Sequence, residues 1–517
     1  MTAGLAVTGG TVLLPTGPVR CDLFLSRGRI VSVDPSVGTR GTGLGGPGGR
    51  SENGTVGAGA ERSVVDASVQ DDAVPATGDQ SPVAGGRPAW AASGATTTLD
   101  ATDLLVAPGF VDLQCTGALG IDLATEPESL WDLAAALPRW GVTAWLPTVV
   151  TVPPTVRARV LAAVRSGPQG DDVAVAAPLG LHVEGPFLAP ERRGAHDPRH
   201  LAAPSATLVE DEDWSRPAGV ALVTLAPELP GALDLVRLLT DRGVVVSAGH
   251  SSATAGEVRA AVDAGVRYVT HLFNAMAPLH HREPGLVGVA LTDERLRVGI
   301  IADGLHVDPV VVALVARALG DRLSLVTDAV AALGAPPGPT RLGALAATVS
   351  PAEGSPTTDS PAEGSLAAGT SAAASPAAGT SAAGPYVAGS PAARPSAPDA
   401  VRLADGTLAG STLSLDRAVR NLVDFAGVTL ADAVRAVTST PAAVLGLTDR
   451  GVVAPGAVGD LVLLTPAGEV VATVVGGRVA YDARRPQDLP AATSAARTTD
   501  PAAGRSEHRP ERRPWRS

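Results

Sequence analysis

Val244-Val245-Val246-Ser247-Ala248-Gly249-His250 is followed by Ser251-Ser252-Ala253-Thr254, a helical pattern over 255–264, and then Tyr268-Val269-Thr270-His271. The first run is apolar until its polar end, as a strand covered on both faces must be. The hydroxyls of 251–254 are suited to cap the helix that follows. Strand, helix and strand in this order imply parallel strands joined by a right-handed crossover. A histidine at the end of each strand places both imidazoles at one end of the sheet.

The same unit recurs along the chain. Apolar runs lie at 111–114, 142–147, 179–184, 220–225, 244–250, 268–271, 298–303 and 323–328, with helical patterns between them, for example 309–319. Eight such runs predict an α/β fold, a (β/α)8 TIM-like barrel. Outside them, 5–33 reads as short alternating strands with turns at Gly9-Gly10 and Arg27-Gly28, and 99–106 resumes that pattern. Residues 415–425 and 430–437 read as helices, and 451–481 returns to short strands. The two chain ends are therefore expected to build a small β-sandwich beside the barrel. The expected division is 1–35 and 94–107 with 448–485 for the small domain, and 108–349 with 399–447 for the barrel.

Three stretches differ: 36–93, 350–398, with its repeated Ser-Pro-Ala-Glu-Gly-Ser and Ala-Ala-Gly-Thr-Ser-Ala-Ala, and 486–517. None carries enough apolar surface to offset its chain entropy, so all three are expected to be disordered. Two cysteines, Cys21 and Cys115, among 517 residues do not make a disulfide framework and suit a cytoplasmic protein. A net charge of −12 disfavours nucleic acid, and no apolar run is long enough to cross a membrane. The chain contains no lysine, so a metal pair bridged by a modified lysine is excluded.

The strand ends carry the chemistry. Gln114, Glu184, His250, His271 and Asp328 close the first, third, fifth, sixth and eighth runs, and eight of the nine histidines lie between His182 and His306. A single histidine at a strand end is more often a hydrogen-bonded structural residue than a ligand. Four metal-type side chains at equivalent positions of successive units argue for one shared site. Glu, His and His suit Zn²⁺ or a similar divalent ion with an open position, where water becomes a usable nucleophile near neutral pH. Asp328 is placed to take a proton from that water and return it to a leaving nitrogen.

Local sequence extends this reading. Gly180-Leu181-His182-Val183-Glu184-Gly185-Pro186-Phe187, Val246-Ser247-Ala248-Gly249-His250-Ser251 and Val269-Thr270-His271-Leu272-Phe273-Asn274-Ala275-Met276 occur in this order. So do Arg282-Glu283-Pro284-Gly285, Ile301-Ala302-Asp303-Gly304-Leu305-His306-Val307-Asp308, Leu325-Val326-Thr327-Asp328-Ala329, Gly406-Thr407-Leu408-Ala409-Gly410-Ser411 and Gly451-Val452-Val453-Ala454-Pro455-Gly456. This ordered set resembles the N-acetylglucosamine-6-phosphate deacetylases, a branch of the metal-dependent amidohydrolase superfamily. The resemblance implies metal ligation by Glu184, His250 and His271, with Asp328 as general base and then acid. It implies that His306 polarises the acetamide carbonyl, and that Asn274, Ala275 and Arg282 hold the sugar phosphate. Ala195, His196, Leu408, Ala409 and Gly410 would complete the sugar pocket, with Asp303, Gly304 and Leu305 beside His306. In relatives the matching arginine reaches in from a neighbouring subunit, which implies a homodimer.

One departure bears on the metal. Where many superfamily members have His-x-His on the first strand, this chain reads Gln114-Cys115-Thr116. Gln and Thr are poor ligands for a second transition metal, so one ion per subunit is expected, Zn²⁺ first and Fe²⁺, Mn²⁺ or Co²⁺ as alternatives. Strand alternation turns Cys115 away from the face of Gln114 and Thr116. The leading expectation is hydrolysis of N-acetyl-D-glucosamine 6-phosphate to D-glucosamine 6-phosphate and acetate. The alternatives are another N-acetyl amino-sugar phosphate such as the galactosamine epimer, a cyclic amide, or a non-catalytic scaffold.

Overall fold

The computed structural model describes residues 4–35, 96–168, 174–351 and 399–485. The stretches 36–93 and 486–517, and all of 350–398 except its first two residues, lie outside the described residues, and with them the expectation of disorder.

Eight parallel strands form the barrel: β1 (Phe110–Cys115), β2 (Val142–Val149), β3 (Leu181–Glu184), β4 (Val220–Leu225), β5 (Val245–Ala248), β6 (Tyr268–Val269), β7 (Arg297–Ile300) and β8 (Leu323–Leu325). Each pairs with the next in sequence order. The seam between β8 and β1 is closed just beyond β8, where Asp328 N–H donates to the Gln114 carbonyl and Thr116 N–H to that of Ala329. β1, β2, β3 and β4 are buried at every position, which explains their unbroken apolar character. A helix follows each strand. Those at Ala232–Asp241, Ala255–Ala264, Pro309–Leu319 and Leu415–Ala426 are four of them, and they bury their apolar stripes against the barrel. Of the hydroxyls expected to cap Ala255–Ala264, that of Thr254 does so, in a reciprocal capping box with Glu257.

The chain ends build one nine-stranded sheet in which Gly17–Ser26 pairs with Thr11–Leu14 at its start and with Gly4–Thr8 at its end. Folding across that long strand encloses a separate core of Leu5, Val7, Leu23, Leu25, Leu461 and Val474 among others, the interior of the expected sandwich. The C-terminal strand Leu461–Leu464 joins it by pairing with Leu105–Pro108, the segment leading into β1.

A three-stranded antiparallel sheet, Gly338–Leu342, Leu345–Ser350 and Ala400–Leu403, was not anticipated from sequence. Its strands are short, and the last pairing, Ser350 with Ala400, joins residues far apart in the chain. Local periodicity does not register such a contact. The sheet sets the ends of the repeat-rich stretch side by side, which makes a long insertion there cheap to close. It also delivers residues 407–411 to the open end of the barrel.

Candidate active site

Glu184 ends β3, and His250 and His271 follow β5 and β6 within a few residues. Their side chains converge although they are distant in sequence. Glu184 Oε1 lies 3.1 Å from His250 Nε2 and 3.0 Å from His271 Nε2, and the two Nε2 atoms are 3.1 Å apart. All three residues are buried, and they form a group able to hold a metal ion. Ligand atoms bound tetrahedrally to Zn²⁺ at about 2.0–2.1 Å stand roughly 3.3 Å apart, so the triangle has nearly the right edges. His250 Nδ1–H donates to the Arg192 carbonyl at 3.0 Å, which leaves the Nε2 lone pair facing the triangle. His271 Nδ1 is buried with no partner among the described residues.

The electrostatics fit a cation as well. Burial opposes the Glu184 charge, but the imidazoles of His196, His250 and His271 gathered around it hold its carboxyl well below the usual range. Burial pulls His271 down, yet the neighbouring Glu184 carboxylate outweighs it and the net displacement is upward. His250, buried and beside His196, falls to about 4. A divalent ion held by the three groups would supply the positive charge that a buried Glu184 carboxylate favours.

Backbone strain accumulates at this end of the barrel. His250 and Asp328 have φ of +50° and +49°, and Phe273 and Ala275 have +76° and +52°. Such non-glycine conformations cost about 1–3 kcal/mol each and persist only where the surroundings enforce them. For Asp328 the enforcement is visible: its N–H donates to Gln114 and its carbonyl accepts from Ser411 N–H. Gly249 is required before His250, because a Cβ there would lie 2.4 Å from Thr270 Cγ2. Gly410, at φ +72°, faces the Asp328 carbonyl, 2.9 Å from where a Cβ would sit.

Gln114 sits between the two carboxylates. Its Nε2 donates to Glu184 Oε1 and to Asp328 Oδ1, each at 3.0 Å, while Thr270 Oγ1 donates to its Oε1 at 2.6 Å. Burial, then the Glu184 charge, push Asp328 up to about 7. Below it, Asp112 accepts from Thr327 Oγ1 at 2.6 Å, tying β1 to the residue before Asp328. Cys115 is buried and turned to the Gly117 carbonyl, away from the triangle, as alternation predicted.

Two further histidines flank the triangle. His196 Nδ1 accepts from Thr151 N–H at 3.0 Å, so the ring proton of the neutral imidazole is on Nε2, which lies 3.6 Å from Glu184 Oε2. His306 Nδ1–H donates to Asp303 Oδ2 at 2.6 Å, so its Nε2 is a donor only when the ring is doubly protonated. His182 shares the inward face with Glu184 but lies in the layer beneath, fully buried between Thr148 and Thr224.

A cavity of about 320 Å³ opens above these groups. Of the residues expected to contact substrate, Ala195, His196, Asn274, Ala275, His306, Leu408 and Gly410 line it, as do Glu184, His250, His271 and Asp328. Ala409 is buried behind it, and Asp303 acts as a brace, accepting from Leu305 N, His306 N and His306 Nδ1. Gly304 and Leu305 do not line it. Arg282 is exposed and also does not line it; its neighbour Glu283 is engaged by Ala255 N–H and Gly285 N–H. Thr116, read with Gln114 at the end of the first strand, also lines the cavity; Val150, Glu191, Arg192, Gly194, Val330, Leu342 and Thr407 were not anticipated as lining residues, nor Thr151 as the residue orienting His196. The Arg192-Arg193 pair was the one available signal, a double cation beside Ala195-His196.

Residues 105–480 match the amidohydrolase family. The chain belongs to that family. Among curated amidohydrolase relatives, the N-acetylglucosamine-6-phosphate deacetylase of Danio rerio is 34% identical over 396 residues, covering 74% of this chain and 85% of the relative. The N-acetylgalactosamine-6-phosphate deacetylase of Escherichia coli O157:H7 is 35% identical over 348 residues, covering 66% and 78%. A Mycobacterium smegmatis N-acetyl-D-glucosamine-6-phosphate deacetylase, solved in complex with N-acetyl-D-glucosamine 6-phosphate, superposes with a TM-score of 0.66 at 29% identity, covering 92% of this chain and 99% of its own. The amidohydrolase fold expected from sequence, barrel with flanking β domain, is the one observed. Among the described residues no helix is long and apolar enough to cross a membrane.

Proposed function

We propose that this amidohydrolase removes the acetyl group of N-acetyl-D-glucosamine 6-phosphate, releasing acetate and D-glucosamine 6-phosphate. The observation that carries the reading is the Glu184–His250–His271 triangle with Asp328, raised to about 7, bridged to it by Gln114. Glu184, His250 and His271 hold one divalent ion, Zn²⁺ first, which when bound polarises the acetamide carbonyl and acidifies water. Gln114 supports one ion over two, since a neutral amide, a poor metal ligand, stands between Glu184 and Asp328 and bonds both.

The remaining steps belong to the chain's own side chains. Asp328 takes a proton from the attacking water and later passes it to the departing amine, for which a group near neutrality is suited. The C–N bond breaks as acetate forms. His196, fixed as an Nε2–H donor by Thr151, supports the carbonyl oxygen as negative charge develops there. The sequence reading gave that role to His306. His306 is instead held by its Nδ1–H bond to Asp303 while it lines the cavity, and is assigned to binding the substrate. Ala195, Asn274, Ala275, Leu408 and Gly410 enclose the sugar. Arg282, exposed and outside its own cavity, fits a contribution to a partner's site in a homodimer. The two buried free cysteines suit a cytoplasmic setting.

The galactosamine epimer is the second reading, favoured by the Escherichia coli relative at 35% identity. The deciding assay is acetate release from N-acetylglucosamine 6-phosphate by metal-quantified protein, beside the galactosamine epimer and the unphosphorylated sugar. Turnover indifferent to the phosphate would overturn the substrate assignment, and no acetate release with any of Zn²⁺, Fe²⁺, Mn²⁺ or Co²⁺ would revive the scaffold.

A further inference from the structure

Arg192 and Arg193 are adjacent, but only one of them is committed to the fold. Arg193 Nη1 is turned back onto the carbonyls of Gly194 and His196. Arg192 lines the cavity and is half-buried, with its Nε donating to Ser252 Oγ at 2.9 Å. Neither of its Nη groups has a partner among the described residues, and it is the only arginine lining that cavity among them. Its anchor is itself held in place. Ser252 N–H donates to Glu228 Oε1 at 2.5 Å, and Ser251 Oγ donates to Glu228 Oε2 at 2.7 Å. Glu191 also lines the cavity but makes no ion pair with Arg192. A guanidinium fixed through Nε, with its other donors open to a cavity, is set up to grip an oxyanion.

We infer that Arg192 is the chain's own ligand for the phosphate of the substrate, with Ser252 and Glu228 as its positioning residues. The inference rests on the sugar-phosphate reading above. The Arg192 carbonyl also takes the Nδ1–H of His250, so one residue joins the phosphate end of the cavity to the metal end. Arg192 thereby acts in the same subunit as Asp328, whereas Arg282 is directed outward.

The test is calorimetric titration of the metal-loaded protein with D-glucosamine 6-phosphate, for wild type, Arg192→Ala and Arg192→Lys. Metal content and Tm are recorded alongside. Arg192→Ala is expected to weaken binding by about 10- to 100-fold, the worth of a charge-assisted contact, with metal content retained. Arg192→Lys, which keeps the charge but loses the fork and the Nε anchor, is expected to fall between. Equal affinity in wild type and Arg192→Ala overturns the assignment even if wild type releases acetate from the sugar phosphate. If wild type binds the sugar phosphate in an Arg192-dependent way but releases no acetate, the deacetylase reading fails and the Arg192 assignment stands. If wild type does not bind the sugar phosphate, both fail.

Discussion

Gln114 Nε2 lies 3.0 Å from Asp328 Oδ1, joining the end of β1 to the residue that follows β8 across the seam of the barrel. The same nitrogen serves Glu184, so one neutral amide holds a metal ligand and a proton-transfer residue in fixed relation. Gln114→Leu removes a donor from two carboxylates at once. Hydrogen bonds to charged groups contribute about 1.5–3 kcal/mol, so kcat is expected to fall by about 10- to 100-fold. The Asp328 pKa rises, because its ionised form loses a donor. A pH–rate profile checks this, and an unshifted acid limb would count against it.

Asp328→Asn keeps the shape and removes the base. The expected loss in kcat is about 10² to 10⁴, with metal content unchanged by elemental analysis. Asp328 works ionised, so in wild type kcat/KM falls as pH drops through its pKa. That pKa is about 7 without metal, and a bound cation lowers it. The acid limb of the loaded enzyme is therefore expected below pH 7, and it should be missing from the Asn variant.

His196 and His306 are separable by kinetics. His196→Ala is expected to lower kcat by about 10² to 10³ with KM nearly constant, as for loss of a donor to a developing oxyanion. His306→Ala is expected to raise KM for the phosphorylated substrate. The reverse pattern would restore the carbonyl to His306, where the sequence motif placed it.

Chelation is expected to abolish activity and lower Tm, and back-titration with Zn²⁺ to restore both. At a free metal concentration of 100 times Kd the stabilisation is about 2.7 kcal/mol. Glu184→Ala, which loses the vertex common to both histidines, is expected to show no metal-dependent rise in Tm by differential scanning fluorimetry.

His182 predicts a pH effect on stability. Burial lowers its pKa to about 4, against an ordinary value of 6.5. The unfolded chain therefore binds a proton between those limits that the folded chain refuses, so His182 costs stability as pH falls from about 6.5 towards 4. The advantage of wild type over His182→Gln, measured by urea denaturation, is expected to shrink from pH 7.5 to pH 5. A constant difference would show that this histidine titrates alike in both states.

Much of the site was legible because barrel topology turns a linear rule into a spatial one. A polar residue ending each apolar run lies on the same rim as every other, so the run pattern alone gathers Glu184, His250, His271 and Asp328 into one site. The small sheet at 338–403 was not legible, since its pairing of Ser350 with Ala400 spans a stretch with no local pattern. The surroundings of Arg282 were not legible from spacing alone: Glu283 beside it caps a helix, while Arg282 is exposed.

The βαβ run from Val244 to His271 thus determined the parallel barrel, the end of it that carries chemistry, and the metal-type side chains there. Strand period and strand direction are local properties that a sequence carries. Tertiary structure alone decided which atom of each side chain does what. The His196 proton is on Nε2 because Thr151 N–H faces Nδ1, and His306 is paired with Asp303. Arg192 is open to the cavity whereas Arg193 is not. Tautomer, ion pairing and exposed donors depend on neighbours brought in by folding, and no spacing along the chain encodes them.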